Sequence, residues 1–222
     1  MSAHIQALPG AGVPGCRTFV SALAARSDSP SSARLVRAAS ALFVAVLTAA
    51  AAQVSLPLPF TPVPLTLQPM IVLLGAAALG SRLGALSQVL YLAAGIAGLP
   101  VFAASPLLPQ GAARLLGPTG GYLLSYPLAA YAVGWLAERG FDRRYLTAAC
   151  AMLAGLAILS FSGVAWLALA LSPANPLLAA GAALEAGLYP FVLADIVKVL
   201  VAAGALPGLW WLTGAGAGRP ER

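Results

Sequence analysis

The sequence predicts an all-α fold, an integral membrane bundle of six transmembrane helices with both termini on the cytoplasmic side. Three observations predict it. The 222 residues are 60% hydrophobic and 8% charged, against roughly 25% charged in an ordinary soluble domain. Six apolar segments follow one another, at 36–54, 67–80, 83–99, 120–137, 145–171 and 187–213, separated by proline-rich or charged breaks, and a crossing takes about 20 residues. The basic residues then set the parity, because cytoplasmic loops are enriched in Lys and Arg. With six spans and the N-terminus inside, Arg17, Arg26, Arg34, Arg37, Arg82, Arg139, Arg143, Arg144, Arg219 and Arg222 all fall on the cytoplasmic side. Arg114 alone falls outside, and Lys198 lies within the last span. Five or seven spans spoil that division.

Residues 1–33 are rich in Ser, Ala, Gly and Pro with scattered arginines, and they read as a flexible cytoplasmic tail. A cleaved signal peptide fits poorly, since the first long apolar stretch begins late and runs too long for a hydrophobic signal region. The membrane domain is expected over 34–213, followed by a short cytoplasmic tail over 214–222.

In the first span, SALFVAVLTAAAAQ, Ala41, Ala45 and Ala49 recur every four residues and so share one helical face. Small residues at that spacing let another helix come close, which in lipid is a main source of association. Two readings stand, packing inside the chain's own bundle and a docking strip for a separate membrane subunit. The connection that follows, SLPLPFTPVPLTLQ, carries Pro57, Pro59, Pro62 and Pro64 before Thr66 and Gln68. Proline fixes φ and donates no backbone hydrogen bond, so the segment is expected to be extended and stiff, suited to a lid. The second span, LQPMIVLLGAAALG, is short for a full crossing and closes on Gly80, which suggests a tilted or partial span completed by its neighbours. The third holds Gln88 and, three residues later, Tyr91.

Before the fourth span stands Gly117-Pro118-Thr119-Gly120-Gly121-Tyr122, a tight reversal into a helix. It is no Walker loop, which needs a Gly-Lys-Ser/Thr ending; nucleotide hydrolysis is thereby excluded. The fifth span runs over 145–171. The sixth, within LYPFVLADIVKVLVAAGAL, places Asp195 and Lys198, the only lysine, three residues apart on one face. Charges inside a span cost several kcal/mol (roughly 2.5 or more) unless paired or turned to a polar cavity. A structural ion pair and a polar ligand site both remain open. Gln88 and Tyr91 are candidate further contacts.

Several function classes fall away. The only histidine is His4, Asp28, Glu138, Asp142, Glu185 and Glu221 lie at ends or in loops, and so no proton relay partners Asp195. Cys16 and Cys150 suggest neither a disulfide nor a metal site, and no cofactor is expected. The net charge of +6 has no dense basic run that would bind nucleic acid. No internal repeat of a secondary carrier is visible.

The runs VPLTLQPMIVLLGAAALGSRLGALSQVLYLAAGIAGLPVF, LLGPTGGYLLSYPLAAYAVGWLAER and YPFVLADIVKVLVAA, in order over about 36–210, resemble the BioY family, the biotin-specific substrate-binding (S) subunits of energy-coupling factor (ECF) transporters. The resemblance implies a non-enzymatic six-helix subunit in the bacterial plasma membrane that captures biotin from the outer side. It implies a transmembrane coupling subunit and two ATPase subunits as partners. Asp195 and Lys198 are implied as biotin contacts, with Thr66 and Gln68 in the first loop and Gln88 and Tyr91 in the third helix; Ser87 or Gln88 replaces a polar residue that members carry earlier in that helix, where Gly84 and Ala85 stand here. Ala41 and Ala45, continued by Ala49, match the family's Ala-x-x-x-Ala strip that docks on the coupling subunit. Other classes to be separated by experiment are an S subunit for another small vitamin, a self-sufficient secondary carrier, and a structural membrane protein in which Asp195 and Lys198 only stabilise the bundle.

Overall fold

A computed structural model describes residues 18–104 and 109–212, and the chain is mostly helical. A short helix α1 (Phe19–Ala25) precedes the long α2 (Pro30–Gln53). Both begin on capping boxes. Thr18 Oγ1 accepts from the Ser21 amide at 3.3 Å and Ser29 Oγ from the Ser32 amide at 3.2 Å, which satisfies N–H groups that a helix start leaves open. Pro30 takes the first position of α2, where its missing N–H removes no intrahelical bond.

The proline-rich connection forms a two-rung antiparallel ladder, β1 (Ser55–Leu56) with β2 (Leu65–Thr66), pairing Ser55 with Thr66 and Leu56 with Leu65. Helices α3 (Gln68–Leu79) and α4 (Ser81–Ile96) then meet at Gly80, whose φ of 88° is a left-handed conformation that favours glycine. Glu138 caps α4 from far along the chain. Its Oε1 accepts from the Ser81 amide at 2.8 Å and the Ser81 hydroxyl at 2.7 Å, placing a carboxylate at the positive end of the helix. After α5 (Ala113–Leu116) come α6 (Gly120–Ala137), a tight turn at Phe141–Arg143, α7 (Tyr145–Leu171), α8 (Pro176–Gly187), α9 (Tyr189–Ala203) and α10 (Ala205–Leu212).

Helix α6 packs against α3, α4 and α7, and the core gathers around Val72, Leu73, Ala129, Val133 and Met152. On α7, a Cβ at Gly163 would run into the Tyr122 ring, so the missing side chain is what lets α6 and α7 close together. The outer surface is apolar as well. Leu42, Phe43 and Val46 of α2, Phe161 of α7, and Leu193 and Val201 of α9 are exposed, an arrangement that suits lipid rather than water. Among the described residues three helical stretches can cross a membrane by length and composition, Pro30–Gln53, Tyr145–Leu171 and Tyr189–Gly208.

Long-range bonds gather at two ends. At one, Thr18 Oγ1 reaches the Leu79 carbonyl, Glu138 holds Ser81, and the Asp142 carboxylate accepts from Trp210 Nε1 at 2.7 Å while Phe19 meets the Trp210 ring edge to face. At the other, Gln53 donates to the carbonyls of Pro100 and Phe102, Ser55 to Ala104, and Thr61 to Ala186.

The structure departs from the sequence reading in two places. Within the tail expected over 1–33 lie α1 and, from Pro30, the start of α2; Val20 and Ala24 of α1 are buried, Val20 in a cluster with Ala41, Val44 and Leu79, and seven residues with two inward positions show too little periodicity to stand out. Residues 1–17, and the tail expected over 214–222, lie outside the described residues. Helix α8 fills the stretch between the fifth and sixth apolar segments, and at 12 residues it is too short to signal a span. The small-residue strip of α2 is turned inward. Ala41 and Ala45 are 1% and 6% exposed, and Ala49 packs on the main core. Their small side chains serve the approach of the chain's own α1, α3 and α4 to α2, the first of the two readings of the strip; docking of Ala41, Ala45 and Ala49 on a separate subunit stays a proposal.

Candidate ligand-binding site

A cavity of about 320 Å³ lies under the 63–66 segment, walled by α3, α6, α7 and α9. Its walls are mainly apolar, with Leu123, Leu156, Phe191 and Ile196 among them. Polar groups converge on it from several elements. Thr66 comes from β2 and Gln68 from the first turn of α3. Arg114 comes from α5, Thr119 from the turn into α6, and Asp195 from α9.

Asp195 and Lys198 sit one turn apart on α9 and form an ion pair, Nζ to Oδ1, of 2.8 Å. They are not equivalent. Asp195 lines the cavity, whereas Lys198 does not and sends a second hydrogen bond of 2.7 Å to the Thr66 carbonyl. The lysine therefore stands behind the acid, tied to the segment that roofs the cavity.

Tyr91 is likewise one layer back. Its hydroxyl accepts from Gln68 Nε2 at 2.6 Å and donates to the Val101 carbonyl at 3.2 Å. Its ring stacks on Tyr126 at 6.2 Å and meets Phe102 edge to face at 5.6 Å; both of those rings line the cavity. Tyr91 thus positions Gln68 and the aromatic wall instead of facing the space itself. Gln88 is further removed. Fully buried on α4, it donates to Ser87 Oγ at 3.0 Å and Thr48 Oγ1 at 3.4 Å, so it joins α4 to α2 and does not line the cavity. The contact it makes here is between helices, and a ligand contact by Gln88 stays an expectation.

Arg114 is legible in the sequence only as the lone arginine on the outer side. The structure buries it to 2% exposure, with its guanidinium donating to the carbonyls of Ala103 and Pro109 and its side chain on the cavity wall. Thr119, read in the sequence as part of a tight reversal, is 6% exposed and lines the cavity with a hydroxyl that has no protein partner. Tyr122, pinned by a 2.6 Å bond from its hydroxyl to the Gly187 carbonyl, and Ser160 complete the polar lining. Among the described residues no three His, Cys, Asp or Glu side chains are placed to hold a metal.

A cavity that is apolar over most of its wall, with one acid and one buried guanidinium, fits a compact neutral ring system with hydrogen-bond donors and an anionic end. The model of the BioY family matches residues 25–215. The chain belongs to the BioY family. A probable biotin transporter BioY of Pyrococcus horikoshii is 41% identical over 162 residues, 73% of this chain and 88% of that protein. The biotin transporter BioY of Thermotoga maritima is 38% identical over 146 residues, 66% and 80% of the two chains. The crystal structure of an S-component for biotin from an ECF-type ABC transporter is similar with a TM-score of 0.69, covering 82% of this chain and 94% of that one. At 23% identity that likeness establishes the fold alone, and the site rests on this chain's own residues.

Proposed function

We propose that this chain takes up biotin across the plasma membrane as the substrate-capturing subunit of an ECF-type transporter, receiving the vitamin from the outer side. It belongs to a transporter family and is no enzyme. The observation that carries the reading is the cavity in which a lysine-held carboxylate and a buried guanidinium share mainly apolar walls. Biotin offers two ureido N–H donors, an apolar thioether ring and a chain ending in a carboxylate. Asp195 accepts a ureido N–H while Lys198 holds it in its charged form. Phe191 and the wall of Tyr126 and Phe102 pack on the bicyclic ring. Arg114 and the Thr119 hydroxyl receive the carboxylate. Thr66 and Gln68 complete the set from the roof side.

The membrane domain, 34–213, crosses six times with both termini cytoplasmic. Two lines support this. The arginines divide as six spans require, and the two sets of long-range bonds alternate along the chain, with Thr18, Ser81, Glu138 and Trp210 at one end and Ser55, Ala104 and Ala186 at the other. A transmembrane coupling subunit and ATPase subunits supply the energy, since the sequence carries no Walker loop to cradle a nucleotide.

Isothermal titration of the purified chain with biotin tests the reading, with one biotin bound per chain as the expected result; no binding at micromolar biotin overturns it. Uptake into vesicles holding this chain alone, driven by an ion gradient and indifferent to ATP, would instead establish a self-sufficient carrier.

A further inference from the structure

The last apolar stretch is a broken helix. Helices α8 and α9 meet at Leu188, whose φ of −119° is well off the helical value of about −63°, and Pro190 stands in the first turn of α9. Proline has no N–H, so the Ala186 carbonyl four residues earlier loses its helical donor. The Phe191 amide goes to the Leu188 carbonyl at 2.9 Å, a tighter turn that passes over Gly187. Two successive carbonyls are thus released from the helix ladder inside an apolar bundle, where each is costly until another group takes it. Hydroxyls take both. Thr61 donates to the Ala186 carbonyl and Tyr122 to the Gly187 carbonyl, each at 2.6 Å. Tyr122 reaches across from α6 through a slot made of missing side chains, since a Cβ at Gly163 would strike its ring and one at Gly187 its hydroxyl.

The break lies in the cavity wall. Before it, α8 buries Ala179, Ala183 and Gly187, with Ala179 and Ala183 in one cluster with Leu167 and Ala168 of α7. After it, Phe191, Val192, Asp195 and Ile196 form one stripe of α9, and all four line the cavity. An unbroken helix of 3.6 residues per turn would put Asp195 about 80° round from Gly187; the break frees α9 from the phase that α8 takes on α7. We propose that the Pro190 break, held by the Tyr122 hydroxyl, aims α9 at the ligand, and that Tyr122 is a positioning residue for Phe191 and Asp195. This rests on reading the cavity as the biotin site. The proline weakens the span and the two hydroxyls offset that, while the orientation of Asp195 is what a continuous helix does not give. Healing the break should therefore separate stability from affinity.

The test is a double-mutant cycle on the full chain in detergent, with the ligand-free melting temperature and the biotin affinity read for each member. Pro190→Ala gives back the N–H that closes on Ala186 and lets the Phe191 amide return to Gly187. Its melting temperature is expected to hold or rise, while biotin binding weakens about tenfold, the scale of one lost charge-assisted bond. Tyr122→Phe keeps the ring in its slot and bares the Gly187 carbonyl. It should lower the melting temperature by about 4 °C and weaken biotin binding roughly threefold. In the Pro190→Ala background the same change should cost less than about 1 °C, because the carbonyl then has a backbone donor. Equal losses in the two backgrounds overturn the proposal, as does a Pro190→Ala chain with full affinity. So does a Tyr122→Phe chain that loses affinity with its melting temperature intact, since that pattern marks a direct ligand contact by Tyr122. Should Tyr122→Phe not assemble in the membrane, assembly of the double variant with Pro190→Ala is the expected rescue, and its failure overturns the proposal. If the wild-type chain binds no biotin, the functional reading fails, and the melting temperatures of the cycle still decide whether Tyr122 holds the break.

Discussion

At the scale of single residues, Asp195 and Thr119 face one cavity and differ in what each leaves unsatisfied. Asp195 already has Lys198 on one oxygen; replacing it with Asn removes the charge that grips a ligand donor and leaves the ammonium without its counter-ion. Asp195→Asn is expected to weaken biotin binding by about 1.5–3 kcal/mol, roughly 10- to 100-fold, measured by titration calorimetry. Thr119 Oγ1 is a buried hydroxyl without a protein partner, so the empty protein bears its desolvation cost and the ligand relieves it. Thr119→Val keeps the shape and removes that cost. It should weaken binding by about 1 kcal/mol, roughly fivefold, while the melting temperature of the ligand-free chain holds or rises. A hydroxyl of purely structural value would show the reverse, lower stability with affinity intact. Asp195 and Lys198 are legible in the sequence because charges are rare in such a chain and their spacing of three puts them on one helical face. Thr119 is not, since a threonine at a helix start has a sufficient local explanation in capping. Arg114 is half legible, because its place outside follows from counting arginines, whereas its burial comes from the carbonyls of Ala103 and Pro109, which no local pattern announces.

At the scale of elements, the turn between α6 and α7 carries a buried acid that no ligand uses. Asp142 is 1% exposed and accepts from Trp210 Nε1; Arg143 lies 3.6 Å from its other oxygen and over the Trp210 ring. Burial raises its carboxyl above the ordinary range, and the Trp210 bond, the Arg143 charge and a backbone bond only partly offset this. In the folded state the group thus holds its proton to higher pH than in the unfolded chain. Folding binds protons between the two values, and stability falls as pH rises from about 3.8, the ordinary carboxyl value, through the folded-state value, levelling off above it. Asp142→Asn keeps an oxygen for Trp210 and cannot ionise, so its melting temperature is expected to vary less with pH across that window, read by thermal denaturation in detergent at stepped pH. Elements are legible where the apolar period is long: α2, α6 and α7 stand within a few residues of segments visible as runs. Helices α1 and α8 are not, because 7 and 12 residues give a helix too few turns for a periodic signal, and their inward positions are set by the α2 and α7 surfaces they meet.

At the scale of the whole molecule, the apolar outside and the apolar inside leave only the ends to orient the chain. Exposed Leu42, Phe43, Phe161 and Leu193 form no single seam, so the lipid surrounds the bundle without selecting a direction; direction comes from charge. The end that gathers Thr18, Ser81, Glu138 and Asp142 also has Arg26, Arg82, Arg139, Arg143 and Arg144 close by in sequence. The end with the cavity roof has Arg114, and that one is buried. Moving the wrong end across would require translocating a cluster of guanidinium groups, each of which costs about 2.5–3.5 kcal/mol at the centre of a span. In intact cells, single cysteines placed in a background without Cys16 and Cys150 should therefore divide by side. Gln110→Cys and Ala174→Cys are expected to react with an impermeant maleimide from outside, and Ser27→Cys and Gly140→Cys only after the membrane is opened. Labelling of Ser27→Cys and Ala174→Cys from the same side would give α2 to α7 an even number of crossings and remove the six-span topology, and with it the outward-facing cavity on which capture from outside depends.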